Sequence, residues 1–299
     1  MCKVVAIVVG FVCVLCATTS ARACATCAAG DPTLTTMGTQ QPVAQRLRGS
    51  LELQLRRDAV GQPGVNRVSL WEERAAVSMA YAPSDWLMMS LTAPLLMRQV
   101  QEVNLARSNV TGVGDIEMRS KLIVYRDRSF MPDHLLALVA GLKAPTGAIA
   151  TSASGGSLAP ELQSGTGSYD PITGLAYVYF GNDFSVFVSE VLYTPIWGRA
   201  DFRMGPSWRG THTFQYQATT ALAARFSVNT RLDARARWRN PNRIEPDTGG
   251  FVGYIAPALV ASPASDVVIY LEVQVPVLNA LVGRHNEGII AMVGLAYDV

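Results

Sequence analysis

The sequence predicts an all-β chain that closes into a transmembrane antiparallel β-barrel of about twelve strands. Three observations predict this fold. Apolar and polar residues alternate with period two in many segments after residue 45. Long and short connections alternate between those segments. Charged residues are only 16% of the 299 residues, with 22 Arg but three Lys, which is atypical of a water-soluble surface.

The first element, residues 1–23, reads as a targeting segment. Lys3 precedes the apolar run 4–17, and Ala21-Arg22-Ala23 supplies an Ala-x-Ala cleavage site. The run has 14 residues, which is too short to span a bilayer comfortably as a helix. We therefore expect a cleaved secretory signal peptide rather than a retained anchor. Cleavage leaves 23 basic and 23 acidic residues, which argues against a nucleic-acid partner.

The second element is an irregular periplasmic arm, residues 24–45, which begins with Cys24-Ala25-Thr26-Cys27. Outside the cytoplasm, the default for two such cysteines is a disulfide. The alternative is half of a soft-metal site, which would need ligands from another loop or chain. No His follows Cys27, so the c-type haem attachment pattern is missing. The arm is the candidate contact surface for a periplasmic partner.

The third element is the barrel domain itself, residues 46–299. In its first strand, Leu51 and Leu53 alternate with Glu52 and Gln54. The twelve candidate strands are 46–58, 67–81, 86–98, 114–125, 134–146, 167–180, 184–195, 207–222, 226–239, 250–261, 267–277 and 287–299. Each approaches the length that a tilted strand needs to cross a bilayer. The ninth is rich in Ala and Arg, so a helix competes there, and its strict alternation favours a strand.

The connections fall into two classes that follow one another along the chain. The short class comprises 82–85, 181–183, 223–225 and 262–266, with a moderate connection at 126–133. The long class comprises 99–113, 147–166, 196–206, 240–249 and 278–286, with 59–66 the shortest. This alternation is typical of outer-membrane barrels, which have short periplasmic turns and longer extracellular loops. An even strand number places both termini on the periplasmic side.

A water-soluble β-sandwich is the competing fold, because its strands also alternate. The long strands, the charged polar faces and the nearly continuous apolar faces argue against it. Aromatic residues also stand near strand ends, where an interfacial belt would need them. They are Tyr81, Trp86 and Tyr297 at the inner ends, and Trp71, Trp208 and Trp238 at the outer ends.

Three short motifs resemble successive signatures of one family of outer-membrane barrels. They are Gly114-Asp115-Ile116-Glu117-Met118-Arg119, Gly141-Leu142-Lys143-Ala144-Pro145-Thr146-Gly147 and Leu162-Gln163-Ser164-Gly165-Thr166-Gly167-Ser168-Tyr169-Asp170-Pro171. Their order and spacing are similar to those of the putative transporters labelled "MetA-pathway of phenol degradation". The resemblance covers residues 46–299 and implies passage of small aromatic compounds. It supplies no residue pattern that would carry that substrate onto this chain, and it does not include the Cys24–Cys27 arm.

The alternation places a charged set of side chains inside the barrel. The set is Arg48, Glu52, Arg56, Glu72, Arg74, Glu117, Arg119, Lys121, Lys143, Glu190, Arg231, Asp233, Arg235, Arg237, Arg239 and Glu272. Buried charges must pair or stay hydrated, so these residues could brace the barrel by ion pairs. Alternatively, the arginines at 231, 235, 237 and 239 form a basic ladder that favours passage of anions. The same residues can do both.

The sequence contains no pattern that indicates catalysis or a cofactor. His212 lies on the predicted lipid face, as the catalytic His of the outer-membrane phospholipase does, but Phe214 stands where that enzyme requires Ser. We therefore predict a non-enzymatic channel for passive passage of a small solute through a charged lumen. Its partners are outer-membrane lipid and that solute. The 147–166 loop and the arm are candidate plugs, and a closed docking barrel is the alternative.

Overall fold

The computed structural model describes residues 43–60, 68–101, 107–149, 163–245, 248–282 and 285–299. The predicted signal peptide, Cys24 and Cys27 lie outside the described residues. The strands are β1 (Leu47–Val60), β2 (Val68–Ser84), β3 (Leu87–Gln101), β4 (Arg107–Val113), β5 (Ile116–Arg126), β6 (His134–Ala144), β7 (Asp170–Phe180), β8 (Phe184–Tyr193), β9 (Phe202–Arg203), β10 (Ser207–Gln217), β11 (Leu222–Asp233), β12 (Arg237–Trp238), β13 (Arg243–Ile244), β14 (Gly250–Ala264), β15 (Val267–Leu281), β16 (His285–Asn286) and β17 (Ile290–Asp298). A 3₁₀ turn, Arg199–Asp201, precedes β9.

Twelve of these strands form a closed antiparallel ring. The order around the ring is β1, β2, β3, β5, β6, β7, β8, β10, β11, β14, β15 and β17. The ring closes because β1 pairs on both sides: Arg48 lies opposite Ala80 of β2 and Asp298 of β17. Strand β4 continues the line of β5 along β3. The predicted twelve-stranded barrel is confirmed.

The two faces of the wall follow the pleat of the strands, which turns successive side chains to opposite sides. In β1, Leu51, Leu53 and Leu55 are exposed on the outside, whereas Glu52 and Gln54 line the interior. Most other strands repeat this pattern, so the outer surface is an apolar band that Glu190 of β8 and His212 of β10 interrupt. Among the described residues, no helix has the length and hydropathy to cross a membrane.

Three strands differ most from the sequence prediction. The predicted eighth segment, 207–222, ends at Gln217 as β10, and the predicted short connection 223–225 lies within β11. Strand β11 starts four residues before the predicted ninth segment and ends at Asp233, and residues 218–221 form the turn before it. The predicted loop 99–113 contains β4, because the fourth wall strand extends upward and is interrupted at Gly114-Asp115. At β11 the period-two pattern continues past the end of the strand. At Gly114-Asp115 the strand is interrupted within the wall. Alternation alone therefore does not reveal where pairing stops.

Candidate functional site

The barrel encloses a cavity of about 450 Å³ at the end that carries the long loops. Its charged lining comprises Glu52, Arg56, Glu72, Arg74, Arg98, Asp115, Glu117, Arg119, Lys143, Arg209 and Arg231. Apolar side chains, including Leu96, Met204 and Met292, share the lining. The cavity can therefore contact both charged and apolar parts of a small solute.

Most ion pairs at this cavity expose the base and bury the acid. The Arg56 side chain is 22% exposed, whereas its partners Asp58 and Glu287 are each 1% exposed. Lys143 is 19% exposed against 1% for Asp170. Arg231 with Glu287 and Arg98 with Glu72 follow the same order. The pairs of Arg119 with Glu117 and of Arg231 with Asp233 do not. The surface that a solute would meet is consequently more cationic than the count of charges suggests.

Two lumen arginines differ from the others. Arg74 on β2 and Arg209 on β10 both line the cavity. Among the described residues, neither has a carboxylate within ion-pair distance. The Nε of Arg74 is shielded from solvent and has no hydrogen-bond partner there, and the Arg209 guanidinium stacks 4.2 Å from the centre of the Tyr193 ring.

The loop between β6 and β7 folds back to the cavity and is fastened to the wall by a set of contacts that we call the Asp115 clasp. One Asp115 oxygen accepts the N–H of Gly147 at 2.9 Å. The other accepts the N–H of Thr166 at 2.7 Å and its hydroxyl at 2.9 Å. Residues 163–166 consequently line the cavity mouth. The three motifs that carry the family resemblance therefore meet at one point.

Beneath the cavity, toward the tight turns, the interior is packed. Lys121 is 2% and Phe187 1% exposed. Arg225 donates to Glu272 at 2.6 Å, and neither side chain has any exposed surface. Tyr270 donates to Glu52 at 2.5 Å above them. We call Lys121, Phe187, Arg225 and Glu272 the packed layer, and a solute crossing the barrel would have to displace part of it.

The predicted basic ladder on a single strand is wrong. Arg231 lies on β11, lines the cavity and pairs with Asp233 at 2.7 Å. Arg235 follows the end of that strand and is exposed. Arg237 belongs to a separate three-stranded sheet of β9, β12 and β13, and the Arg239 guanidinium lies 4.9 Å from the Trp197 ring centre. The chain leaves the wall after Asp233 because pairing with β10 and β14 ends there.

The expectation that Glu190 faces the lumen is also wrong. On β8, the interior side chains are the odd-numbered ones, such as Val191, and Glu190 lies on the outer face. There its carboxylate lies 3.1 Å from the Nε2 of His212, which faces outward as predicted. The outward residues before and after His212 on β10 are Gly210 and Phe214, so no nucleophile lies beside the imidazole on this strand.

The other predicted lumen residues lie inside the barrel at different depths. Those that line the cavity are Glu52, Arg56, Glu72, Arg74, Glu117, Arg119 and Lys143. Lys121 and Glu272 lie in the packed layer. Arg48 pairs with Asp298 near the termini, where two hydrogen bonds of 2.5 and 2.8 Å join the first strand to the last. The structure thus brings most of the predicted set together, with ion pairs among its members.

Sequence reasoning missed several interior residues. Arg225 was assigned to a turn. Glu287 was placed at the start of the last candidate strand but lies between β16 and β17, and neither residue was included in the predicted lumen set. Arg209 shares the polar face of β10 with Thr211 and Thr213, and that alternation could have identified it. Arg98 pairs with Glu72. Arg98 lies at the end of the third candidate strand. Because the rest of that strand is apolar on both faces, alternation does not show which way Arg98 points.

Glu287 accepts contacts from Arg56, Arg231 and Tyr254 in one interior cluster. Burial would raise the pKa of this carboxyl, but the charges of Arg56 and Arg231, with hydrogen bonds from Arg231 and Tyr254, lower the pKa to about 2. The carboxylate therefore stays ionised and holds both guanidinium groups toward the cavity. This cluster joins β1, β11 and β14 across the barrel mouth.

Metal ligands in proteins are chiefly His, Cys, Asp and Glu side chains. No group of three or more His, Cys, Asp or Glu side chains gathers there in a metal-binding arrangement. Cys24 and Cys27 lie outside that part. The interior chemistry is that of ion pairs, exposed guanidinium groups and phenol hydroxyls.

The chain was compared with known proteins. No protein-family model matches it, and no curated protein matches it in sequence. Among solved structures it is similar to an outer membrane channel from Pseudomonas putida F1, with a TM-score of 0.65 and 14% identity over 86% of this chain and 97% of that chain. It is also similar to the translocator domain of the autotransporter NalP from Neisseria meningitidis, with a TM-score of 0.50 and 9% identity over 86% and 90%.

These similarities concern the fold, since identities are below 15%. They agree with the closed ring and the apolar outer band. The protein is a transmembrane β-barrel of the outer-membrane class. Its interior contains the cavity with a mixed charged and apolar lining, the Asp115 clasp and the packed layer.

Proposed function

We propose that this protein is an outer-membrane channel for passive passage of a small anionic solute, and that the cavity is where the solute enters. The observation that carries the proposal is the exposure of cations over buried acids in the pairs of Arg56, Arg98, Lys143 and Arg231. A wall of this kind raises the local concentration of anions and disfavours cations. The proposal needs no reaction and no cofactor, so the protein is not an enzyme on this account.

The packed layer defines how such a channel would work. Twelve strands leave less room than the sixteen or more of a wide porin. Phe187 and the buried pair of Arg225 and Glu272 occupy the space beneath the cavity. We propose that this layer is the constriction and that passage is limited by displacement of its side chains. Small, slow conductance is then expected.

The test is single-channel recording of the purified barrel in a planar bilayer under a KCl gradient. We expect discrete currents whose reversal potential shows anion preference. The double variant Lys143→Gln with Asp170→Asn removes an exposed cation and its buried acid together, so net charge is unchanged. It should lower the anion preference if exposure, rather than charge count, sets selectivity. Unchanged selectivity would overturn the argument.

Matched variants control for charge elsewhere. Arg128→Gln with Asp133→Asn removes an ion pair at the opposite end, in the turn between β5 and β6, and should leave selectivity unchanged. Arg235→Glu with Arg237→Glu changes residues outside the wall and should affect selectivity less than the lumen variant. Heat-modifiable migration in gels verifies that each variant folds.

A second candidate is a closed barrel that serves as a docking module. The packed layer favours it, because a permanently filled interior would pass nothing. On this account, the arm at residues 24–45 is the contact surface for a periplasmic partner. A folded barrel that never conducts, together with loss of a co-purifying periplasmic protein when the arm is deleted, would favour it.

We also propose that residues 1–23 are removed and that Cys24 and Cys27 form a disulfide in the mature arm. The oxidising compartment reached through a signal peptide is the physical reason. Alkylation of the purified mature protein without reductant should leave both thiols unmodified. Two modified thiols would contradict the disulfide and favour metal binding, which zinc titration of the same sample would then measure.

A further inference from the structure

We propose that Arg74 and Arg209 together form a binding site for a solute with two carboxylates, one held at each wall of the cavity. The inference rests on the proposed function and specifies the solute that the channel would select. Both guanidinium groups line the same cavity. Their strands, β2 and β10, are six positions apart in either direction around the twelve-strand ring, so the two residues lie on opposite walls.

The pairing pattern singles out these two residues. The other lumen cations have carboxylate partners: Arg56 and Arg231 contact Glu287, Lys143 contacts Asp170, and Arg98 contacts Glu72. Each of those cations already has a carboxylate partner, so a solute anion would have to share the cation with that carboxylate. Arg74 and Arg209 have no carboxylate in reach among the described residues, so their charge and donors are available to a ligand.

Each of the two arginines also has a feature typical of a site awaiting an acceptor. The Nε of Arg74 is enclosed and has no hydrogen-bond acceptor among the described residues, which is costly. The carboxylate-paired Arg56 and Arg225 also have an enclosed Nε without an acceptor, so the absence of a carboxylate partner is what sets Arg74 apart. Arg209 lies over the Tyr193 ring with 4.2 Å between guanidinium carbon and ring centre, a cation–π contact that restrains its position.

Tyr193 is itself held in place, so Arg209 rests on a rigid support. The Tyr193 hydroxyl accepts a hydrogen bond from Arg119 and donates one to Glu117 at 3.3 Å. A planar guanidinium of fixed orientation binds a carboxylate with two parallel hydrogen bonds. The interior Leu96, Ile290 and Met292 line the same cavity and would contact a short aliphatic chain.

The geometry therefore selects ligands by the number and separation of their carboxylates. A monocarboxylate satisfies one arginine and leaves the other unpaired. A dicarboxylate with a short methylene chain between its ends can satisfy both at once, and the second contact then forms within the cavity rather than from solution. We expect succinate, glutarate or adipate to bind more tightly than butyrate or hexanoate.

The experiment measures interruption of chloride current by these acids in the planar bilayer. In the wild type, at least one dicarboxylate should block at a concentration about tenfold lower than the monocarboxylate of equal chain length. Arg74→Gln and Arg209→Gln should each abolish that difference while chloride still flows. A variant that conducts and keeps the wild-type difference between the two acids would overturn the proposal.

Two further variants separate specific recognition from general charge. Arg74→Lys and Arg209→Lys keep the charge and lose the bidentate fork. They should lose most of the preference for dicarboxylates. If both lysine variants keep the full preference, charge alone accounts for the effect and the two-fork site is wrong.

A silent wild-type barrel would refute the channel, and the site is then tested by itself. Isothermal titration of the folded barrel in detergent with glutarate measures binding without conduction. Saturable binding that disappears in the double variant Arg74→Gln with Arg209→Gln supports the site as part of a closed barrel. Absence of binding in the wild type, or equal binding in the double variant, overturns it.

Discussion

The carboxylate of Asp115 accepts both the backbone N–H and the side-chain hydroxyl of Thr166, at 2.7 and 2.9 Å. Asp115 lies at the break between β4 and β5, and Thr166 lies in the loop before β7. Fifty-one positions separate them in the chain. Together with the N–H of Gly147, they fix the returning loop against the wall and shape the mouth of the cavity.

Asp115→Asn should loosen this clasp. An amide presents one acceptor oxygen where the carboxylate presents two, so Gly147 or Thr166 loses its partner at a cost of about 1–3 kcal/mol. We expect noisier, more variable single-channel currents and a lower unfolding temperature. Thr166→Val keeps the backbone donor and should have a smaller effect. Asp127→Asn, at a turn on the other end, is the control.

Gly165→Ala provides an independent test of the clasp. A Cβ at this position would lie 2.1 Å from Asp115 Oδ1, so the loop must move away from the wall. The variant should reproduce the current noise of Asp115→Asn. If Gly165→Ala behaves as wild type while Asp115→Asn does not, the close approach of loop and wall described here is incorrect.

Glu287 gives the barrel a defined pH dependence. Its pKa is lowered from 4.5 to about 2, so its contribution to stability is complete above pH 4.5 and is lost as pH falls toward 2. The stability difference between wild type and Glu287→Gln should therefore be constant at neutral pH and shrink below pH 4.5. Denaturant unfolding across that range measures it. A difference that persists unchanged to pH 2 would contradict the assignment.

Phe187→Ala tests the packed layer. Removing this ring from the interior should widen the constriction and raise single-channel conductance, while destabilising the barrel by about 3–5 kcal/mol. Phe184→Ala is the matched control, because Phe184 lies on the same strand, faces outward and is 39% exposed. It should leave conductance unchanged. Equal conductance in both variants would show that the layer does not limit passage.

The pair of Glu190 and His212 tests the outer wall rather than the interior. Both lie on the outer wall, where a charged group within the apolar band is destabilising. Replacing both by Leu should raise the unfolding temperature. Glu272→Leu should lower it, because it leaves Arg225 buried without its partner at a cost of about 3–5 kcal/mol. A destabilised double-leucine variant would show that the outer pair contributes favourably.

The sequence predicts which side chains face inward along the wall strands better than it predicts where the chain leaves the wall. The placement of Glu52, Arg74 and Glu117 inside the barrel follows from alternation and is found in the structure. Arg237 and Arg239 follow the same alternation, but Arg237 lies in the separate three-stranded sheet and Arg239 in the turn after β12. The period of a strand is local, whereas the position where it leaves the wall depends on the lengths of its neighbours.

The sequence by itself determined the class of protein, the number of wall strands and which face of most strands meets lipid. It did so because the pleat forces period two and the membrane demands an unbroken apolar face. Only the tertiary structure decided that Arg74 and Arg209 lie on opposite walls of one cavity and that Asp115 accepts hydrogen bonds from Gly147 and Thr166. It alone also decided that most cavity ion pairs bury the acid and expose the base. Those relations depend on ring closure and strand stagger, which join residues far apart in the chain and leave no local trace in it.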